Sequence, residues 1–306
     1  MNADKEIKGV IGVYRRSSAA QFNGIGRLLL AWYRKAHRDL PWRRTRDPYR
    51  ILVSEIMLQQ TQVARVMKFC PVFIKKFPDF RTLARARTAD VLRAWQGMGY
   101  NRRALALQRL AKIILEKYNG RLPCERAALT ALPGVGKATA GAIRAFAWNE
   151  PEVFVETNIR RVFIHFFFPV RSGRAGRARK VTDDEIMRYI KRTLPQKNAR
   201  EWYWALMDYG AMLGTAASRV LMRSGRAIGR NPNRNSAHYK KQSRFSGSDR
   251  ELRGKILRFL LQRKKVSREA LVKETKKPAV RVRKIIAALE RERFIERKGR
   301  FVSISH

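Results

Sequence analysis

The sequence predicts an all-α body with a small α+β unit at its C-terminal end. Two observations carry this. Apolar residues recur at helical spacing along most of the chain, and strand-like alternation is nearly absent from residues 24–223. The last sixty or so residues then change pattern, reading as three helices and a hairpin. A length of 306 residues suggests two or three domains, and 45% apolar residues suffice for a real core.

Residues 1–23 are mixed in character and are expected to be flexible. GRLLLAWYRKAH, residues 26–37, reads as an amphipathic helix that stops before Pro41 and Pro48. Residues 50–68 set Leu52, Ile56, Val63 and Val66 on one helical stripe. Further helices are expected at roughly 70–77, 89–95, 101–118, 126–131, 137–147, 155–168, 183–194 and 200–213. Residues 171–180 read as a basic loop. Residues 224–247, rich in Gly, Ser, Asn and Arg, read as a basic linker.

Residues 248–306 form the distinct C-terminal unit. Leu252, Ile256, Phe259 and Leu260 mark a first helix, and Ser267 is suited to cap a second. Pro278 opens a third, with Val282, Ile285, Ile286 and Leu289 on one face. FIERKGRFVSI then turns at Lys298–Gly299. Three helices followed by a hairpin is the order of a winged helix-turn-helix. Arg281, Arg283 and Lys284 stud its third helix, so DNA contact is expected, with a packing role as the alternative.

The chain holds 68 Lys and Arg against 24 Asp and Glu, a formal net charge of +44. The C-terminal unit carries 19 basic and 7 acidic residues, which leaves +32 on the rest. Two separate regions can each meet a polyanion. Cys70, Cys124 and four histidines form no close ligand cluster, so a disulfide framework, a zinc finger and a four-cysteine iron–sulfur site are unsupported. No metal ligand is assigned. The low cysteine count fits the cytoplasm, with nucleoid association in a prokaryote. No signal-like apolar core opens the chain, and the longest apolar stretch, Phe163 to Val170, is too short to span a bilayer.

ALTALPGVGKATAGAIRAF is the most specific local pattern. A short helix ends at Leu132, Pro133–Gly136 turn tightly, and a second helix begins near Lys137. Unpaired amides at that helix start form an anion site, reinforced by the helix dipole. The run LPGVGKATA resembles the helix-hairpin-helix of base-excision DNA glycosylases. With LPWRRTRDPYRILVSEIMLQQTQVARV, WQGMGYNRRALAL, ETNIRRV and ALMDYGAML in the expected order, residues 24–215 resemble the endonuclease III superfamily. SEIMLQQTQV resembles the MutY-type adenine glycosylases in particular. The resemblance implies the helix-hairpin-helix glycosylase fold over 24–223. Its central lobe would span about 50–148, and its second lobe 24–49 with 149–223.

The resemblance also implies roles. Glu55, on the edge of a buried stripe, would protonate the leaving base; burial would keep its proton available. Glu156 would be the second carboxylate, held ionised at a helix start, although the family has aspartate there. Asn158 would orient the site. Gln59 and Gln60 would fill the gap left by a flipped nucleotide, and Tyr100 would insert beside the opposing base. Leu132, Gly134, Val135, Gly136, Lys137 and Thr139 would contact DNA at the hairpin, where a monovalent cation is also allowed. Trp42 and Arg43 would line the base pocket. Trp204 stands where some relatives have a pocket glutamate, and Asp208 is expected to serve structure. Ala138 replaces the lysine of bifunctional members, which implies a monofunctional enzyme.

Two departures stand out. Gly214 occupies the first ligand position of the family's iron–sulfur loop, so no cofactor is expected. The winged unit stands where the family's own C-terminal domain would be. The leading reading is a monomeric glycosylase for adenine mispaired with guanine or 8-oxoguanine in double-stranded DNA, with no membrane partner. A thymine glycosylase for T·G mismatches and a non-catalytic mismatch binder are the alternatives.

Overall fold

A computed structural model of the chain describes residues 19–168, 179–214, 231–263 and 265–305. The described helices are α1 Ala19–Ala36, α2 Pro48–Leu58, α3 Val63–Lys76, α4 Phe80–Arg85, α5 Thr88–Ala94, α6 Arg102–Tyr118, α7 Arg126–Thr130, α8 Lys137–Ile143, α9 Thr157–Phe167, α10 Asp183–Thr193 and α11 Ala199–Gly214. A π-turn, Arg144–Trp148, continues α8. The C-terminal part holds α12 Asp249–Gln262, β1 Val266–Ser267, α13 Arg268–Thr275, α14 Ala279–Arg291, β2 Ile295–Lys298 and β3 Phe301–Ile304. The all-α body with a small α+β end is therefore observed. The basic loop expected at 171–180 lies largely outside the described residues.

The chain divides into two units. One joins the chain up to Arg43 with Ala140–Lys241; the other joins Arg44–Thr139 with Gln242–His306. In the first, α9 packs along α11, and α1 packs on α11. Ile159, Phe163, Trp202 and Leu206 are buried there. Glu156, Thr182 and Asp183–Glu185 supply the helix starts; Thr182 and Glu185 form a reciprocal capping box. Residues 231–239, part of the expected linker, are folded here. Asn231 caps a short turn, Pro232–Asn235, which packs on α9, and Ser236 bridges to Val181. Composition suggested a linker, but this pairing partner lies over fifty residues away in sequence.

In the second unit, α4 and α5 pack on α6, and α2 packs on α3. Asp47 accepts from the Tyr49 amide and Pro48 takes the first helical position, which sets the start of α2. The single helix expected at 50–68 is two helices: Gln60 has φ +53° and breaks the run. A helix at Phe80–Arg85, capped by Asp79, was not expected.

The winged part belongs to this second unit. Ser267 caps α13 through the Ala270 amide, as its position suggested, and Pro278 precedes α14. β3 lies between β1 and β2, antiparallel to both, with Lys298 opposite Phe301 at the hairpin. Leu252, Ile256, Val282, Ile286, Leu289, Phe294 and Val302 form its core. α12 rests on α5, and Arg93 donates to the Leu261 carbonyl. Glu292 is clamped between Arg102 of α6 and Arg253 of α12. This part is therefore packed against the helices around α6, where composition implied only a tethered domain.

Candidate active site

Glu55 sits on α2 among Leu52, Val53, Ser54, Ile56 and Met57, all buried, and is itself half-buried. The end of this helix is fixed from outside. The Arg103 guanidinium donates to the carbonyls of Ile56, Met57 and Gln59 at 2.8, 2.7 and 2.6 Å, and to Thr61 Oγ1 at 2.8 Å. A cation at a helix C-terminus satisfies carbonyls that have no intrahelical partner. Burial pulls the Arg103 pKa down to about 10. Arg103 was not among the residues sequence reasoning singled out. The available clue was an arginine in register with the apolar stripe of α6.

Gln59 and Gln60 part company. Gln59 Nε2 donates to the Gly134 carbonyl at 3.0 Å and to Thr139 Oγ1 at 3.1 Å, tying the end of α2 to the hairpin. Its Nε2 is thus engaged within the protein. Gln60, in the left-handed region, is exposed.

The hairpin turns at Gly134, where φ is +82°. A Cβ there would lie 3.1 Å from Ala106 Cβ, a tight approach to α6 at a φ that favours glycine. Leu132 and Val135 are buried. Their side chains serve the core, so any contact of these two with DNA falls to their backbone groups. Gly136 has open space on its Cα, and Lys137 is exposed. The Leu132 and Gly134 carbonyls already accept from the Val135 amide and Gln59. Each keeps a second lone pair for a cation.

Glu156 caps α9. Its Oε1 accepts from the amides of Asn158 at 2.7 Å and Ile159 at 3.0 Å, and Asn158 Nδ2 donates to Oε2 at 3.3 Å. The helix start holds the carboxyl as expected, and burial works against its charge. Burial pushes its pKa above the usual carboxylate range, against the two amides and the neighbouring Arg161 and Arg160. Arg161 in turn donates to Asn158 Oδ1 at 2.7 Å, the Gly210 carbonyl at 3.3 Å and Asn231 Oδ1 at 3.2 Å. Gly210 lets α11 meet the first turn of α9: a Cβ there would sit 2.2 Å from the Asn158 carbonyl oxygen. Arg161 and Gly210 were also missed by sequence reasoning.

Arg43 makes two parallel bonds of 2.8 Å to Asp208, which also takes the Arg38 amide at 2.9 Å and Arg38 Nε at 2.7 Å. Burial would raise the Asp208 pKa, but Arg43 and Arg38 hold it below the usual range. Asp208 is thus structural, as expected. Arg43 is more tightly committed than a pocket-lining role suggests, with its guanidinium 5.5 Å from the Trp204 ring. Trp42 is half-buried.

Tyr100 is half-buried with φ +47°, in a loop where Gly97 and Gly99 also have positive φ. Trp95 Nε1 donates to the Gly99 carbonyl at 3.0 Å. The Arg103 guanidinium lies 5.5 Å from the Tyr100 ring and joins it to the end of α2.

A four-cysteine cluster does not fit this chain. It has two cysteines in all, and Cys70 is buried in α3 with its thiol pushed up to about 12. A Cβ on Gly214, the first ligand position, would lie 2.5 Å from Arg161 Nη1. Among the described residues no three His, Cys, Asp or Glu gather as metal ligands.

Residues 53–192 match the HhH-GPD superfamily base excision DNA repair protein family. An adenine DNA glycosylase of Mycobacterium tuberculosis is 37% identical over 242 residues, 76% of this chain and 77% of that protein. A thymine/uracil-DNA glycosylase of Pyrobaculum aerophilum is 31% identical over 194 residues, 62% of this chain and 83% of that protein. Among solved structures, that of a thermostable thymine-DNA glycosylase covers 65% of this chain and 91% of its own, with TM-score 0.56 and 26% identity.

Proposed function

Because the chain belongs to the HhH-GPD superfamily of base excision DNA repair proteins, on the adenine DNA glycosylase branch, we propose that it hydrolyses the N-glycosidic bond of adenine mispaired with guanine or 8-oxoguanine in double-stranded DNA. It acts as a monomer, without cutting the strand and without an iron–sulfur cluster. The observation that carries this reading is Glu55, half-buried in an otherwise buried helical run whose end is locked by Arg103 and Gln59.

The base must leave the stack before it can react. As the C1′–N bond breaks, its electron pair goes to the base, and Glu55 gives the base a proton. The sugar gains oxocarbenium-like charge, which the carboxylate of Glu156 stabilises when ionised. Water then adds to C1′ and gives its proton to the Glu55 carboxylate, leaving an abasic site and restoring the acid. Asn158, bonded to both Glu156 and Arg161, keeps the carboxylate in place. Ala138 has no amine to form an imine with the sugar, so no strand cleavage follows. Gly134, Gly136 and Lys137 hold a phosphate and set the register of the duplex.

End-labelled duplexes containing A·8-oxoguanine, A·G, T·G or matched pairs, treated with and without alkali, test the reading. Adenine release from the first two, with nicking only after alkali and loss in Glu55→Gln, is the expected result. T·G-selective release would favour the thymine reading, which the Pyrobaculum relative motivates. Tight mismatch binding with no abasic product would leave a binding protein.

A further inference from the structure

Exposed large apolar side chains are few, and among the described residues Phe245 is the aromatic one, 58% exposed. It closes the basic run Lys240-Lys241-Gln242-Ser243-Arg244, and Arg244 is exposed beside it. The Arg250 guanidinium lies 5.5 Å from the Phe245 ring and 5.1 Å from the Tyr100 ring. Arg250 also donates to the Tyr100 hydroxyl and, at 3.2 Å, to the Ser243 carbonyl. Gln242 donates to the same hydroxyl. One cation therefore joins two rings, of which Tyr100 is half-buried and Phe245 is the open end.

An exposed ring backed by a guanidinium suits a partner with both a flat π-face and negative charge. The nearby acids are already engaged. Asp249 pairs with Arg281, and Glu251 pairs with Lys255 and accepts from the Gly247 amide. The local field is thus left basic. A nucleobase on a phosphodiester strand meets both requirements, because every base has a π-face and every linkage a charge.

We propose that Phe245 is a second base-stacking residue of the DNA interface, coupled to Tyr100 through Arg250, and that it takes the face of a base unstacked when a lesion is engaged. Gln242 and Arg250 are positioning residues in this arrangement, since they act through Tyr100. The inference rests on the glycosylase reading above, which supplies the unstacked base.

The test uses the full chain, a duplex with a tetrahydrofuran abasic analogue opposite guanine, and a matched duplex. 2-Aminopurine is placed in turn at the positions flanking the lesion on either strand. Phe245→Ala is expected to weaken abasic-duplex binding about tenfold, as befits one lost stack. Matched-duplex binding, dominated by charge, should fall far less. The 2-aminopurine response at one position should vanish in Phe245→Ala and return in Phe245→Trp. Equal affinities and an unchanged response in Phe245→Ala would overturn the proposal. So would a uniform loss on both duplexes in a variant with the wild-type Tm. Should the wild type give this binding signature yet release no base, the catalytic reading fails and the stacking site stands.

Discussion

Gly210→Ala is expected to slow base excision by about 100-fold while lowering stability. Intrinsic helix propensity alone argues the other way, since alanine inside a helix is favoured over glycine by about 1 kcal/mol. Geometry decides the sign. The new Cβ would stand 2.2 Å from the Asn158 carbonyl oxygen and 2.7 Å from Asn158 C and Cβ. A comfortable carbon–oxygen contact is about 3.3–3.6 Å, so α11 and the first turn of α9 must part by roughly 1 Å. The obstacle is largely backbone, so no rotamer change can relieve it. Overpacking of this kind costs about 1–3 kcal/mol. The same displacement moves Asn158 and the amides that hold Glu156, and about 1 Å of misplacement can cost about 100-fold in rate. Single-turnover excision from an A·G duplex, read after alkali beside a thermal melt, measures both effects. A variant with wild-type rate and Tm would refute the reasoning.

Burial raises the Glu156 pKa, so its carboxyl favours the folded state below the unfolded value of 4.5. That contribution is lost as pH rises through the folded pKa. Glu156→Gln should therefore abolish excision yet gain in Tm relative to wild type as pH rises from 4 to 8; a constant gap in melting curves would contradict this. Arg103→Leu leaves the Ile56, Met57 and Gln59 carbonyls without their donor, and urea unfolding should register a loss of about 3–5 kcal/mol. Asp208→Asn strands the buried Arg43 guanidinium and should cost a similar ~3–5 kcal/mol. If its urea midpoint matches wild type, the pairing contributes nothing net.

The apolar stripes of α6, α9 and α11 were legible because each buries one face of a regular helix, and a 3.6-residue period survives in any context. The break between α2 and α3 was not. Gln60 is no turn former, and its left-handed backbone follows a helix end held by Arg103 from 44 residues away. The candidate residues Glu55, Glu156 and Asn158 stood out by motif, but the burial of Glu156 did not. A helix start argues for an ionised carboxylate; packing of α9 on α11 buries it, and sequence alone carries no measure of that burial. Gly210 went unremarked in the sequence, yet it is the place where two helices touch. The Asn231–Ser236 segment read as linker because its composition is polar, and only its pairing with Val181 gives it structure.

Acids are scarce in this chain, and the structure shares them out. Asp208 serves Arg38 and Arg43; Glu292 serves Arg102 and Arg253; Asp90 serves Arg87 and Arg93. Mutational tolerance should be lopsided as a result. Losing one arginine of such a trio leaves the acid still paired, whereas losing the acid sets two like charges side by side. The same logic fixes a response to acid. These three carboxyls are held below their usual range by their arginines, so they keep their pairs until the pH falls below the ordinary carboxylate values, and then release two cations apiece.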